Sequence, residues 1–177
     1  MNSANTIQKI KTALFCFASI LFIGCDQVTK NLAKEHLMNR GAVSYFNDLF
    51  VLYYAENTGA AMGLGDALPQ VLSFLLLGIL PLLFLIALSF YIIKHMNRLS
   101  PLLLTGLTFV FAGGIGNIID RLLHDRHVTD FMIMGIGKLH TGIFNFADLY
   151  ISTGAIILLI YILKLNIAES KRNKLEV

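Results

Sequence analysis

Long uncharged stretches separated by short charged clusters dominate the chain. Ala67–Ile93 is an uncharged run of 27 residues between Asp66 and Lys94, and Leu99–Ile119 is another of 21 between Arg98 and Asp120. A helix needs about 20 apolar residues to cross a bilayer, so both runs predict transmembrane helices. Two further runs are short, Thr12–Cys25 with 14 residues and Leu149–Leu163 with 15. Each reaches spanning length only if it takes in one carboxylate. Thr12–Thr29 is 18 residues with Asp26 as its sole charge, and Asn145–Leu163 is 19 with Asp148 as its sole charge. A carboxylate inside a span is costly, so its retention points to use. The pattern predicts spans near 12–29, 67–93, 99–119 and 145–163, with extramembrane segments at 31–66 and 122–144.

Those segments are not helical in pattern. Phe50-Val51-Leu52-Tyr53-Tyr54 is β-branched and aromatic and runs into Asn57-Thr58-Gly59-Ala60-Ala61, a strand followed by a turn. Val128-Thr129-Asp130-Phe131 is a second short extended piece, ahead of glycines 135, 137 and 142. The fold class expected is an all-α polytopic membrane protein, one domain over 1–177, with a little external β-structure.

Composition agrees with this picture: 56% of the 177 residues are hydrophobic and only 14% charged, against roughly 25% charged in soluble domains. Charge placement then orients the chain. The N-terminal arm (Lys9, Lys11), the Lys94–Arg98 turn and the C-terminal tail hold eight basic and two acidic residues, whereas the other side holds six basic and nine acidic. By the positive-inside rule both termini are cytoplasmic, and the net charge of +3 reflects orientation rather than nucleic-acid binding. Tyr45, Tyr53, Tyr54 and Tyr150 would mark the outer interface and Tyr91 and Tyr161 the inner. Cys16 and Cys25, nine residues apart, fall on opposite faces of one helix and cannot bridge.

Polar residues inside the spans gather at the outer ends. Gly113, Asn117 and Arg121 are spaced i, i+4, i+8, with Asp120 at i+7; Asn145 and Asp148 are i, i+3; Asp26 and Lys30 are i, i+4. Gly113 and Gly114 would let a neighbouring helix approach closely. Taken singly, each cluster has a plain explanation. Asp26–Lys30 reads as a helix-end ion pair, Asp120–Arg121 as an interfacial anchor, and Asn57-Thr58-Gly59 as a turn. Asp148 resists such an explanation, and Asp130 in its extended context invites pairing with it. Two neighbouring carboxylates cannot both ionise easily, so one keeps a proton while the other activates water. That is the chemical requirement of an aspartic protease.

Five blocks then occur in order: Asp26-Gln27-Val28-Thr29-Lys30, Asn57-Thr58-Gly59-Ala60-Ala61, the run 113–121 (GGIGNIIDR), Val128-Thr129-Asp130-Phe131 and Phe144-Asn145-Phe146-Ala147-Asp148. Together they resemble the signature blocks of the lipoprotein signal peptidase (signal peptidase II) family. The resemblance implies an intramembrane aspartic endopeptidase of the bacterial inner membrane, with its active site at the periplasmic face. It would remove signal peptides from diacylglyceryl-modified prolipoproteins by cutting before the lipidated cysteine. It implies a catalytic pair at Asp130 and Asp148, substrate contacts at Asn57, Gly59, Asn117, Arg121 and Asn145, and supporting roles for Asp26, Lys30, Gly113 and Asp120. It also implies a small external β-cradle, no cofactor or metal, and a monomer working on prolipoproteins and membrane lipid. Thr129 departs slightly from the family pattern, which commonly has two aliphatic residues before the first catalytic Asp.

Several signals compete. Lys9, Lys11, a 14-residue apolar run and Phe22-Ile23-Gly24-Cys25 look like a lipoprotein signal peptide. Cutting there would leave three spans and strand one terminus outside, against the basic tail. Gly63-Leu64-Gly65-Asp66 matches the GxGD pattern of other intramembrane aspartic proteases but lacks a partner Asp on a preceding helix; Asp66 reads better as a helix cap. His124, His127, Asp130 and His140 lack the HExxH spacing of a helical zinc site. A cation channel or transporter would place its acids near midplane and at both ends of a pore, whereas here they crowd one side.

Overall fold

A computed structural model describes residues 3–59 and 69–175. Among the described residues, four helices long and apolar enough to cross a membrane carry the architecture. They are α1 (Ser3–Leu37), α2 (Gln70–His95), α3 (Pro101–Leu123) and α4 (Phe146–Leu175). Four strands make a small antiparallel sheet in the order β1 (Val43–Tyr45), β2 (Phe50–Asn57), β3 (Val128–Ile136), β4 (Leu139–His140).

Charges ended the apolar runs but did not end the helices. α1 begins nine residues before the expected span and continues eight residues beyond it, so residues 31–37 of the expected external segment are helical. At about 1.5 Å per residue α1 is about 50 Å long, well over a hydrocarbon core of about 30 Å. α3 runs four residues past Ile119, and α4 twelve past Leu163. Helical hydrogen bonding continues into the interface, where lysines and carboxylates are solvated or paired. The Gly63–Asp66 motif and the start of the second expected span lie outside the described residues.

α3 is the central helix, with α1, α2 and α4 all packed on it. Ser100 opens it, its hydroxyl accepting from the Leu103 N–H (3.2 Å) with Pro101 at the first helical position. The apolar core joins Phe15 of α1, Leu85, Leu88 and Ile92 of α2, and Leu104, Leu107 and Ile118 of α3. On α1 the buried positions Phe15, Ser19, Asp26, Lys30, Ala33 and Leu37 form one helical stripe, while Phe17 and Ile20 point outward, 67% and 72% exposed. Cys16 and Cys25 are both exposed and unbridged. Tyr150 departs from the expected interfacial belt: it is buried, its ring 4.9 Å from that of Phe22 and 5.9 Å from that of Phe109.

The sheet packs on the C-terminal end of α1 through Phe131 and Met132 against Ala33 and Leu37. β2 is longer than the expected strand because it includes Asn57, and β3 continues to Ile136; β1 and β4 are too short to carry a periodic signal. β2 takes up one extra residue between Leu52 and Ala55 while its partner advances from Met132 to Asp130. This bulge sets the register beyond it, pairing Ala55 with Asp130 and Asn57 with Val128. A side-chain period of two means that losing the extra residue would turn Asn57 to the opposite face.

Candidate active site

Two aspartates arrive at one cleft from different elements. Asp130 is the third residue of β3 and is 2% exposed; Asp148 lies in the first turn of α4. Both line a cleft of about 460 Å³, with Asn57, Asn117, Arg121, and Leu77 and Pro81 of α2 among its walls.

The start of α4 explains how Asp148 is held. Asn145 is the residue before the helix, and its Oδ1 accepts from the Asp148 N–H (2.9 Å) while Asp148 Oδ2 accepts from the Asn145 N–H (3.2 Å). This reciprocal pair is a capping box, satisfying two donors that no helical carbonyl reaches. Asp148 therefore interrupts no helix; it begins one. Asn117 Nδ2 donates to its other oxygen at 2.8 Å.

Asn145 also ties the two aspartates together. Its Nδ2 donates to Asp130 Oδ1 at 2.6 Å and lies 3.2 Å from Asn117 Oδ1. Asn57 Nδ2 donates to the second oxygen of Asp130 at 2.9 Å. Burial pushes the Asp130 carboxyl up to about 6, and the Asp148 charge adds to this, while the amide donors Asn57 and Asn145 and the charge of Lys30 pull the other way. The preceding turn is tied in as well: Gly59 N–H donates to Asn57 Oδ1 (2.9 Å), and Arg121 Nη2 donates to the Gly59 carbonyl (2.8 Å). Arg121 Nε is buried with no hydrogen-bond partner among the described residues.

Beneath the cleft lies a buried ionic junction. Lys30 Nζ is 2.8 Å from Asp26 and 3.0 Å from Asp120, with all three side chains at most 3% exposed, and it donates to Asn117 Oδ1 at 3.0 Å. Asp26–Lys30 is thus no solvated helix-end pair. Asp26 Oδ1 accepts from the Ala147 N–H (2.8 Å), capping α4 from α1, and Asp120 Oδ2 accepts from the Thr129 N–H (3.1 Å), holding β3 beside Asp130. Lys30 reaches Asn117, Asn117 reaches Asp148, and Asn145 joins both aspartates. Close backbone approach makes this possible: a Cβ on Gly113 would collide with the Ala147 carbonyl oxygen, and one on Gly116 would lie 2.6 Å from Asp26 Oδ2.

The shared face expected of residues 113–121 divides in the structure, Asp120 entering the junction and Arg121 turning toward Gly59 and the cleft. Sequence reasoning did not single out Gln27, which donates to Asp120 Oδ1 (2.9 Å) and to the Gly116 carbonyl (3.2 Å). Its position next to Asp26, and three residues before Lys30, was the available signal. The histidines of the candidate metal set are not gathered: His127 Nδ1 lies 3.0 Å from the His124 carbonyl oxygen, and no group of three or more metal-ligating side chains occurs among the described residues.

Similarity to known proteins covers these same residues. The profile of the Signal peptidase (SPase) II family matches residues 18–164. A lipoprotein signal peptidase of Pelodictyon phaeoclathratiforme is 39% identical over 166 residues, covering 89% of this chain and 94% of that protein. One from Borrelia duttonii is 35% identical over 152 residues, covering 82% and 86%. Among solved structures, a bacterial membrane enzyme determined by the in meso method at 2.3 Å superposes with a TM-score of 0.72 at 27% identity, covering 86% of this chain and 88% of that one. With the match spanning the four helices and all five blocks, the chain belongs to the signal peptidase II family and is a membrane-embedded peptidase.

Proposed function

We propose that this protein is an intramembrane aspartic endopeptidase that cleaves diacylglyceryl-modified prolipoproteins before the lipidated cysteine, with Asp130 and Asp148 as its catalytic pair. The observation that carries the reading is the joint suspension of both carboxylates from Asn145, at the wall of one cleft and above a buried ionic junction. Such fixed geometry is what a water-activating pair requires.

In the active form Asp130, pushed up to about 6, is the member of the pair that carries the proton and polarises the scissile carbonyl. Asp148 draws a proton from the water that attacks it, and Asp130 then protonates the departing amine. Arg121 Nε and the amides of Asn57 and Asn117 supply donors to substrate carbonyls. The reaction runs without a covalent intermediate, metal or cofactor. Asp26, Lys30, Asp120 and Gly113 support this arrangement by fixing where α1, α3, β3 and α4 meet.

The chain is read as one domain in the bacterial inner membrane, and the charge asymmetry supports an orientation with both termini cytoplasmic and the site at the outer face. A lipid-modified precursor then reaches the cleft with its acyl chains still in the bilayer, and the enzyme works as a monomer. The test is a gel-shift assay with purified protein and a diacylglyceryl-modified precursor, beside the unlipidated precursor, Asp130→Asn and Asp148→Asn. Cleavage is expected only of the lipidated form by the wild type; near-normal cleavage by either variant would overturn the pair.

A further inference from the structure

α2 is not a regular helix where it borders the cleft. Phe74–Ile79 form a π-helical turn, closed by the Leu80 N–H donating to the Leu75 carbonyl five residues back. Pro81 follows at once and has no N–H. The two features remove the ordinary partners of two successive carbonyls. The amide that would close on Leu76 belongs to Leu80 and is spent on Leu75; the amide that would close on Leu77 is missing, because residue 81 is proline. Leu77 and Pro81 both line the cleft that contains Asp130 and Asp148. In a bilayer such a gap in helical pairing is tolerated where the freed groups meet a cavity or other protein groups, and π-turns inside helices concentrate at functional sites.

A substrate cut at this site brings a complementary need. Scission requires an extended segment, and an extended segment within the membrane carries amide N–H groups with no partner of their own. We propose that the Leu77–Pro81 interruption of α2 is a docking point for substrate main chain, the Leu77 carbonyl, which has no helical amide at residue 81, accepting an N–H group from the residues that precede the scissile bond. This rests on the endopeptidase reading above and adds α2 to it as a positioning element. Because the contact is to backbone, it aligns signal peptides of different sequence equally well.

The experiment uses the full-length enzyme in lipid nanodiscs and a synthetic diacylglyceryl-modified precursor in which successive amides before the scissile bond are replaced by esters, N–H by O. Cleavage of the all-amide precursor by wild type establishes the endopeptidase reading independently. One ester position is then expected to raise KM by about threefold to tenfold, the range of a single hydrogen bond, with kcat little changed. Pro81→Ala, which restores the missing amide to the Leu77 carbonyl, should raise KM for the all-amide precursor similarly and abolish the extra penalty of that ester. An ester scan with no sensitive position overturns the proposal without reference to any variant. So does an ester penalty of the same size in wild type and Pro81→Ala.

Discussion

Asp130 sets two demands against each other, and Asp130→Asn separates them. The carboxyl is 2% exposed and pushed up to about 6 from an ordinary 3.8. Between those values the folded protein still binds a proton that the unfolded chain has released, so stability falls as pH rises through that window and levels off above it. At about 1.4 kcal/mol per pH unit, the ionised group costs the fold about 3 kcal/mol at neutral pH. The amide introduced by Asp130→Asn cannot titrate. It also opposes the donors of Asn57 and Asn145, a penalty that does not depend on pH and cancels when differences across pH are taken. The assay is reversible unfolding of both proteins in mixed micelles from about pH 3.5 to about pH 7.5, a range that brackets the window. The wild type should lose about 3 kcal/mol relative to Asp130→Asn, with the loss concentrated between about pH 4 and about pH 6, while the variant loses cleavage by at least about 100-fold. A flat difference across that window, or one of opposite sign, would refute the account of Asp130 as a carboxylate held in the site at the expense of stability.

Other perturbations follow from the same geometry. Asp26→Ala leaves Lys30 with one counter-ion and the Ala147 N–H uncapped, so it should destabilise the protein by about 3–5 kcal/mol in the same unfolding assay. Asn57→Ala removes a donor that favours ionised Asp130; the alkaline limb of kcat/KM, expected at about 6 in the wild type, should move to higher pH. Gly113→Ala drives a methyl into the Ala147 carbonyl and should reduce both thermal stability and kcat by displacing the start of α4, whereas Gly24→Ala, in open space, should change neither. Cleavage should proceed unchanged in a chelator such as EDTA.

The chain's own pattern determined where helices run, because burial in lipid acts on each residue separately and leaves long uncharged stretches as its record. It also marked the exceptions: Asp26 and Asp148 stood out as carboxylates in segments that otherwise spanned, and the ordered blocks from 26 to 148 carried the family. Helix ends were less legible, since backbone hydrogen bonding continues past the last apolar residue into the interface. What those exceptions do was decided by tertiary structure. Asp148 looked like an acid inside a span but is the third residue of a capped helix. Asp26–Lys30 looked like a solvated pair but is the buried core of a junction that caps α4 and secures β3. The bulge in β2 and the broken pairing before Pro81 left no periodic trace either. The roles of the two aspartates and the bulge depend on which groups meet across distant elements, and a hydrogen bond between residues 26 and 147, or 57 and 130, is a property of their approach that neither local stretch encodes alone.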